Sequence, residues 1–409
     1  MLTNQGNSRM LKLNVLRASL VISIPIFLAA RHAWGEEAPV RVSAGHVMAN
    51  SASVMTGEFL KHIDQQLPDV EIVYDADSRD SFESDSSRLR KRSTLSDLVF
   101  VYCGISSFVD EIATLAQEGR IQAIDSIEGY KDHIKPDDIY PGLRDAGRWR
   151  GQVWAVPVRA CAPCLLANRD MTLDTSSWSA LAKSVTGHRF ALALGSDRYA
   201  LWQSILLQRG FDPLGEKDPS LDVAPYANAL KPVRDMIARG NLIATETGLA
   251  EVTIANSDLF ADMGTPPAHM QVYPFPSEGP GTLDGMCRNW YLAISSDTLG
   301  PARAACLRVI AEILSPNTQM MLANLSYSPT VRPSVAASDE FTTAFPESSP
   351  VRTMQDALAR TRLTSGDAKR GSAVATMDKA VTAAIEDPAA AETILGDAIR
   401  EARKVLVLE

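Results

Sequence analysis

Between residues 40 and 118, short apolar runs alternate with helix-patterned segments, and this alternation restricts the possible folds more than any other feature of the chain. Residues 40–44 (VRVSA) alternate apolar and polar side chains as a strand does, and residues 52–67 place Val54, Phe59, Leu60 and Ile63 on one helical face. Residues 70–74 (VEIVY) read as a second strand and 81–92 as a polar helix. Residues 97–102 (DLVFVY) form the near-continuous apolar run of a strand buried on both faces. Helical periodicity resumes over 108–118. Strand, helix, strand, helix at this spacing is the pattern of a doubly wound α/β domain. With 409 residues the chain has room for two such units.

The order then changes. Residues 123–145 are loop-rich, 152–157 form a short strand after the turn-like Arg150-Gly151, and 165–168 extend it beyond a Cys-Ala-Pro-Cys motif. A helix from about 176, a strand over 189–194 and a helix over 199–209 follow. A long helix over 223–239 is expected to close on a left-handed Gly240. Strands over 270–274 and 290–295, then helices over 301–314, 317–324, 354–363, 373–385 and 389–405, complete the reading. There is no internal repeat and no low-complexity linker, so the second unit is one the chain enters and leaves more than once. In open parallel sheets ligands sit beyond the carboxyl ends of the strands. Tyr102-Cys103-Gly104 occupies that position after DLVFVY, and Asp197-Arg198-Tyr199 does so between a strand and a helix of the second unit.

The first 35 residues differ from the rest. Arg9, Lys12 and Arg17 precede an apolar run over 20–30 (LVISIPIFLAA) that is short for a bilayer span, and Ala33-Trp34-Gly35 supplies small residues where a signal peptidase cuts. This reads as a secretory signal, with a membrane anchor as the competing reading, and the expected location is the periplasm. The chain carries 40 Lys and Arg against 49 Asp and Glu, a formal charge of −9. Four of those basic residues lie in the signal, so the remainder is more acidic still. That balance argues against a nucleic-acid partner. The basic cluster over 88–92 reads as a solvated helix end.

Export permits disulfides, and five cysteines (Cys103, Cys161, Cys164, Cys287, Cys306) leave at least one unpaired within a monomer. The Cys161–Cys164 spacing is that of a thiol-disulfide enzyme, but it follows a strand rather than opening a helix. In an extended chain two residues three apart lie roughly 10 Å apart, beyond the reach of a disulfide unless Pro163 forces a turn. A secreted dithiol oxidoreductase is the remote alternative, behind a structural bridge or cysteines lining a cleft. No metal or cofactor motif is present, and Gly-x-Ser-x-Gly, His-Glu-x-x-His and a phosphate loop are all absent. No catalytic residue is assigned.

The motifs in this order resemble the extracellular solute-binding proteins of ABC importers, of the maltodextrin-binding type. Ser96-Asp97-Leu98-Val99-Phe100 is similar to that family's P-D-[IL]-[IV] strand, and residues 150–157 (RGQVWAVP) to its G-K-x-[YW]-[AG]-[IV]-P crossover. Asn168-Arg169-Asp170-Met171 resembles its N-K-D-L, and residues 290–294 (WYLAI) the strand that returns to the first lobe. Residues 328–333 resemble the loop after that, and the helices from 373 the family's ending.

The resemblance implies a two-lobed periplasmic-binding-protein fold, each lobe a mainly parallel sheet flanked by helices, with crossing hinge strands. The implied lobes are residues 36–157 with about 290–335, and 158–289 with about 336–409. It implies a non-enzymatic, monomeric receptor that closes on a small molecule, most often a sugar, and delivers it to a membrane-embedded permease. It aligns Cys161 with a ligand-contacting position and Tyr199 with a ring that stacks on sugars. Tyr102, Cys103, Gly104, Asn289 and Trp290 fall at cleft-facing strand ends. Arg159, Asp197, Arg198 and Arg288 are candidates for charge-assisted hydrogen bonds, which keeps open a charged ligand such as a sugar phosphate or organic anion. Where sugar binders present an aromatic residue late in the chain, this sequence has Gly371-Ser372-Ala373.

Overall fold

The computed structural model describes residues 38–45, 62–75, 94–103, 111–192, 198–212, 214, 222–243, 250–256, 269–276, 283–284, 289–362 and 370–407. For some of these, among them Tyr102, Cys103, Arg198 and Tyr199, only the backbone is described. The helix expected over 81–92 and the Gly104, Asp197 and Arg288 positions lie outside these residues.

In chain order the strands are β1 (Val40–Gly45), β2 (Val70–Asp75), β3 (Leu98–Cys103), β4 (Ala155–Arg159), β5 (Pro163–Asn168), β6 (Arg189–Leu192), β7 (Asn241–Ile243), β8 (Val252–Asn256), β9 (Met270–Tyr273) and β10 (Asn289–Ile294). The principal helices are α1 (Glu111–Gln117), α2 (Trp178–Ser184), α3 (Arg198–Gln208), α4 (Lys231–Arg239), α5 (Gly300–Ile313), α6 (Pro316–Ser326), α7 (Pro350–Ala359), α8 (Arg370–Glu386) and α9 (Ala391–Val407).

Two five-stranded sheets organise them. The first has the order β2-β1-β3-β10-β4, with β10 antiparallel to both neighbours, and the second the order β9-β5-β8-β6-β7. Every residue of β4 and β10 is buried: β10 lies between β3 and β4 in a covered sheet, and β4 is buried although it ends the sheet. The chain passes from the first sheet to the second at residues 160–162 and returns before Asn289. It leaves again between α6 and α7, since α7 packs against β5 and β9. Because β4 runs to Arg159 and β10 begins at Asn289, both sheet boundaries differ slightly from the expected 157/158 and 289/290.

Helix starts follow local chemistry. Ser177, Ser315 and Ser349 each accept a backbone N–H from the first turn of the helix they precede, and in the last two a proline occupies the first helical position. The expected long helix over 223–239 is instead two, Ala224–Asn228 and α4. Pro232 lacks an N–H, and its ring would strike the carbonyl of Asn228 in a continuous helix. Gly240 is extended (φ −98°, ψ 161°) rather than left-handed, so the expected cap is corrected. A Cβ there would stand 2.7 Å from the Phe190 ring, and close packing accounts for the glycine. The short strands β7 and β8 were not legible in the sequence.

At the amino end of β3, Asp97 ties three segments together. Its Oδ2 accepts from the backbone N–H (2.8 Å) and hydroxyl (2.6 Å) of Ser43 in β1, and its Oδ1 from Thr298 (2.9 Å). Burial pushes this carboxyl up, but those hydrogen bonds outweigh it and hold it below its ordinary range. A carboxylate whose folded pKa is depressed adds stability above its unfolded pKa, and that stability is lost as pH falls through the folded value. Asp97→Asn should therefore lower the melting temperature at pH 7 and narrow its gap to wild type below about pH 4. Melting curves between pH 3 and 7 check this; a gap independent of pH contradicts it.

Candidate functional site

The carboxyl ends of β3 and β4 and the amino end of β10 meet at one end of the first sheet. Asn289 lies opposite Cys103, and Trp290 opposite both Tyr102 and Arg159, with a bulge between Trp290 and Tyr291 on the β4 side. A bulge locally rotates the strand and re-aims its side chains. Directly beyond Arg159 the chain crosses to the second sheet through Ala160-Cys161-Ala162. Six of the expected residues, drawn from three distant segments, are thus brought to one place at the passage between the lobes: Tyr102, Cys103, Arg159, Cys161, Asn289 and Trp290.

The Arg159 side chain is 2% exposed and lies over the Trp290 indole, with Cζ 4.7 Å from the ring centroid. Stacking a weakly hydrated guanidinium on an indole offsets part of its desolvation cost. Its Nε donates to the Ser328 hydroxyl (2.6 Å), which in turn meets that of Ser326 (2.9 Å). Phe100 meets Trp290 edge-on at 6.2 Å. Trp290 is 7% exposed.

Asn289 is fully buried. Its Oδ1 accepts from the Cys161 backbone N–H (3.0 Å), pinning the crossing segment to the first sheet. Because the oxygen end is committed, the other end of the amide must be a donor, and Nδ2 finds no acceptor among the described residues. A buried amide donor calls for an acceptor.

Cys161, Cys164 and Cys306 are all buried. Burial pushes the Cys164 thiol up to about 12, and burial together with the Asp97 charge pushes Cys306 up as well. Nucleophilic thiols need the opposite shift. The Cys161–Cys164 pair is buried and lies on a crossing segment and a strand rather than at a helix start, an arrangement that does not favour thiol exchange.

Arg198 and Tyr199 open α3, which packs on α8 and on the short strand Leu283–Asp284 shortly before Asn289. The sequence reading missed Ser326, Ser328, Thr330, Gln319 and Gln355, which support this end of the sheet. Serines, a threonine and glutamines within helical or loop patterns carry no periodicity that would single them out. Among the described residues no three His, Cys, Asp or Glu side chains group to hold a metal, and no helix is long and apolar enough to cross a membrane.

No family model and no curated protein matches the sequence. Solved structures do match the fold. The cyclic alpha-maltosyl-1,6-maltose binding protein from Arthrobacter globiformis superposes with a TM-score of 0.71 at 16% identity, covering 90% of this chain and 99% of that one. The sugar-binding protein MalE from Xanthomonas citri gives 0.72 at 14% identity, covering 90% and 97%. UgpB from Mycobacterium tuberculosis, in complex with glycerophosphocholine, gives 0.67 at 15% identity, covering 91% and 99%. The chain has the two-lobed fold of these periplasmic-type binding proteins over nearly its whole length.

Proposed function

We propose that this protein is an exported, non-enzymatic receptor that binds a small polar ligand, a sugar or sugar derivative, between its two lobes and presents it to an ABC-type permease. The observation that carries the reading is the convergence of Arg159, Asn289 and Trp290 at the passage between the sheets, in a fold shared with sugar-binding proteins. An indole offers an apolar face to sugar C–H groups, while guanidinium and carboxamide donors suit hydroxyl oxygens. Ligand contacts to both lobes shift an open–closed equilibrium. In this reading Tyr102, Cys103, Gly104 and Cys161 line the first-lobe side, and Asp197, Arg198 and Tyr199 the second-lobe side.

Thermal-shift measurements against sugars, sugar phosphates, organic anions and amines test it, because a molecule that binds only the folded state raises the melting temperature. Stabilisation by a neutral sugar is the expected result; stabilisation by amines alone rejects the reading. With the stabilising sugar in hand, Tyr199→Ala should lose a stacking face and roughly ten- to hundredfold in affinity by calorimetry, about 1–3 kcal/mol, without a lower apo melting temperature. Unchanged affinity with a much lower melting temperature would instead make Tyr199 a core residue.

The Arg159 guanidinium favours a second reading, a ligand that also carries a phosphate or carboxylate. A sugar phosphate that stabilises more strongly than its parent sugar selects it.

A further inference from the structure

The segment 328–332, at the start of the connection from α6 to α7 that makes the third passage between the lobes, is buried although it belongs to no sheet or helix. Its backbone is satisfied by two glutamine side chains, one from each lobe. Gln355, on α7 of the second lobe, accepts the Thr330 N–H at its Oε1 (2.8 Å) and returns an Nε2 hydrogen to the Thr330 carbonyl (3.2 Å), as a neighbouring strand would. Its second Nε2 hydrogen goes to the hydroxyl of Tyr140 (3.1 Å), in the first lobe, whose backbone N–H is itself bonded to the Val331 carbonyl (3.2 Å). Gln319, on α6, accepts from the Thr330 hydroxyl and the Val331 N–H (both 3.0 Å) and donates to the Val158 carbonyl of β4 (3.0 Å). The loop is therefore locked to the first lobe through Gln319 and to the second through Gln355.

These bonds differ in what a rotation of the lobes does to them. The Gln319 bonds stay within the first lobe and its crossing strand, whereas α7 is packed on β5 and β9 and moves with the second sheet. Gln355 to Tyr140 spans the two. A hydrogen bond between two bodies that rotate is made in one arrangement and lost in another, so it biases the equilibrium without touching a ligand.

We infer that Gln355 is a positioning residue of the hinge, and that its bond to the Tyr140 hydroxyl is a latch holding the lobes in the arrangement seen here. The inference rests on the proposed hinged receptor, but it concerns the ligand-free protein and is tested without a ligand. Tyr140→Phe removes one oxygen and leaves the Gln355–Thr330 pair in place. Spin labels on Lys131→Cys in the first lobe and Lys183→Cys in the second, both exposed positions, report the interlobe distance distribution; the chain lacking these two substitutions serves as the labelling blank. Tyr140→Phe should move the ratio of latched to unlatched arrangements about two- to tenfold toward the unlatched one, the worth of one ordinary hydrogen bond. Gln355→Met should move it the same way, and the double variant no further than the larger single effect. A merely structural role would lower the melting temperature and leave the distances alone, and an unchanged distribution in a folded Tyr140→Phe protein overturns the latch. Failure to find a stabilising sugar would count against the proposed ligand and leave this result standing.

Discussion

Trp202→Ala is expected to destabilise the protein by about 3–5 kcal/mol, the range for deleting a large buried aromatic side chain. Trp202 lies in α3 with 0% exposure; its Nε1 donates to the Tyr226 carbonyl (2.9 Å) and its ring lies 6.5 Å from that of Tyr226. Truncation opens a cavity and removes the indole donor to the Tyr226 carbonyl at once. Trp202→Phe separates the two, since it restores much of the volume but not the donor, and should cost less. Chemical denaturation of the ligand-free protein measures both. Tyr199 lies one turn earlier on the same helix, so the pair contrasts stability with binding on a single element. A Trp202→Ala protein as stable as wild type would mean that α3 does not pack as described.

The second large effect concerns a residue whose conformation is ordinary. Gly147 has φ −78° and ψ 1°, which any residue can adopt, yet a Cβ at this position would stand 2.2 Å from the carbonyl oxygen of Ala155. The obstacle is backbone, so no side-chain rotation relieves it. Retreat is also barred, because the Gly147 carbonyl accepts the N–H groups of Trp154 (3.0 Å) and Ala155 (3.3 Å). Gly147→Ala must displace the start of β4 from β10, at a cost of about 3 kcal/mol. Since β4 carries Arg159 at its far end, the same displacement should weaken ligand binding. Denaturation together with thermal shift by a stabilising sugar measures both, and a wild-type midpoint would contradict the close approach.

The sequence and the structure agree wherever a signal was local. VEIVY, the LVFVY portion of DLVFVY, and WYLAI each read as strands because they are short runs rich in β-branched and aromatic residues, and they became β2, β3 and β10. The helix expected over 317–324 lies within α6, whereas the one expected from 354 begins earlier, at Pro350 after the Ser349 cap. Expectation and structure part at Pro232 and Gly240. Helical periodicity extends across residues 223–239, but a proline ring and the nearness of Phe190 are steric facts of particular atoms rather than of a pattern. The strands β7 and β8 escaped for a related reason, since short runs such as NLI and VTIAN become strands only by having neighbours to pair with.

The candidate site divides in the same way. The sequence alone placed strand ends at Tyr102 and Pro157, close to the observed Cys103 and Arg159, and the start of another at Trp290, and such strand ends are where a doubly wound sheet binds its ligands. Only the tertiary structure decided that Arg159 stacks on Trp290, that Asn289 holds the Cys161 backbone, and that Cys161 and Cys164 are both fully buried. It alone placed Gln319 and Gln355 on either side of Thr330, residues separated by 11 and 25 positions along the chain. Apolar periodicity records which face of an element is buried. A hydrogen bond or a stacked pair depends on which two elements meet and at what register, and no single segment carries that information.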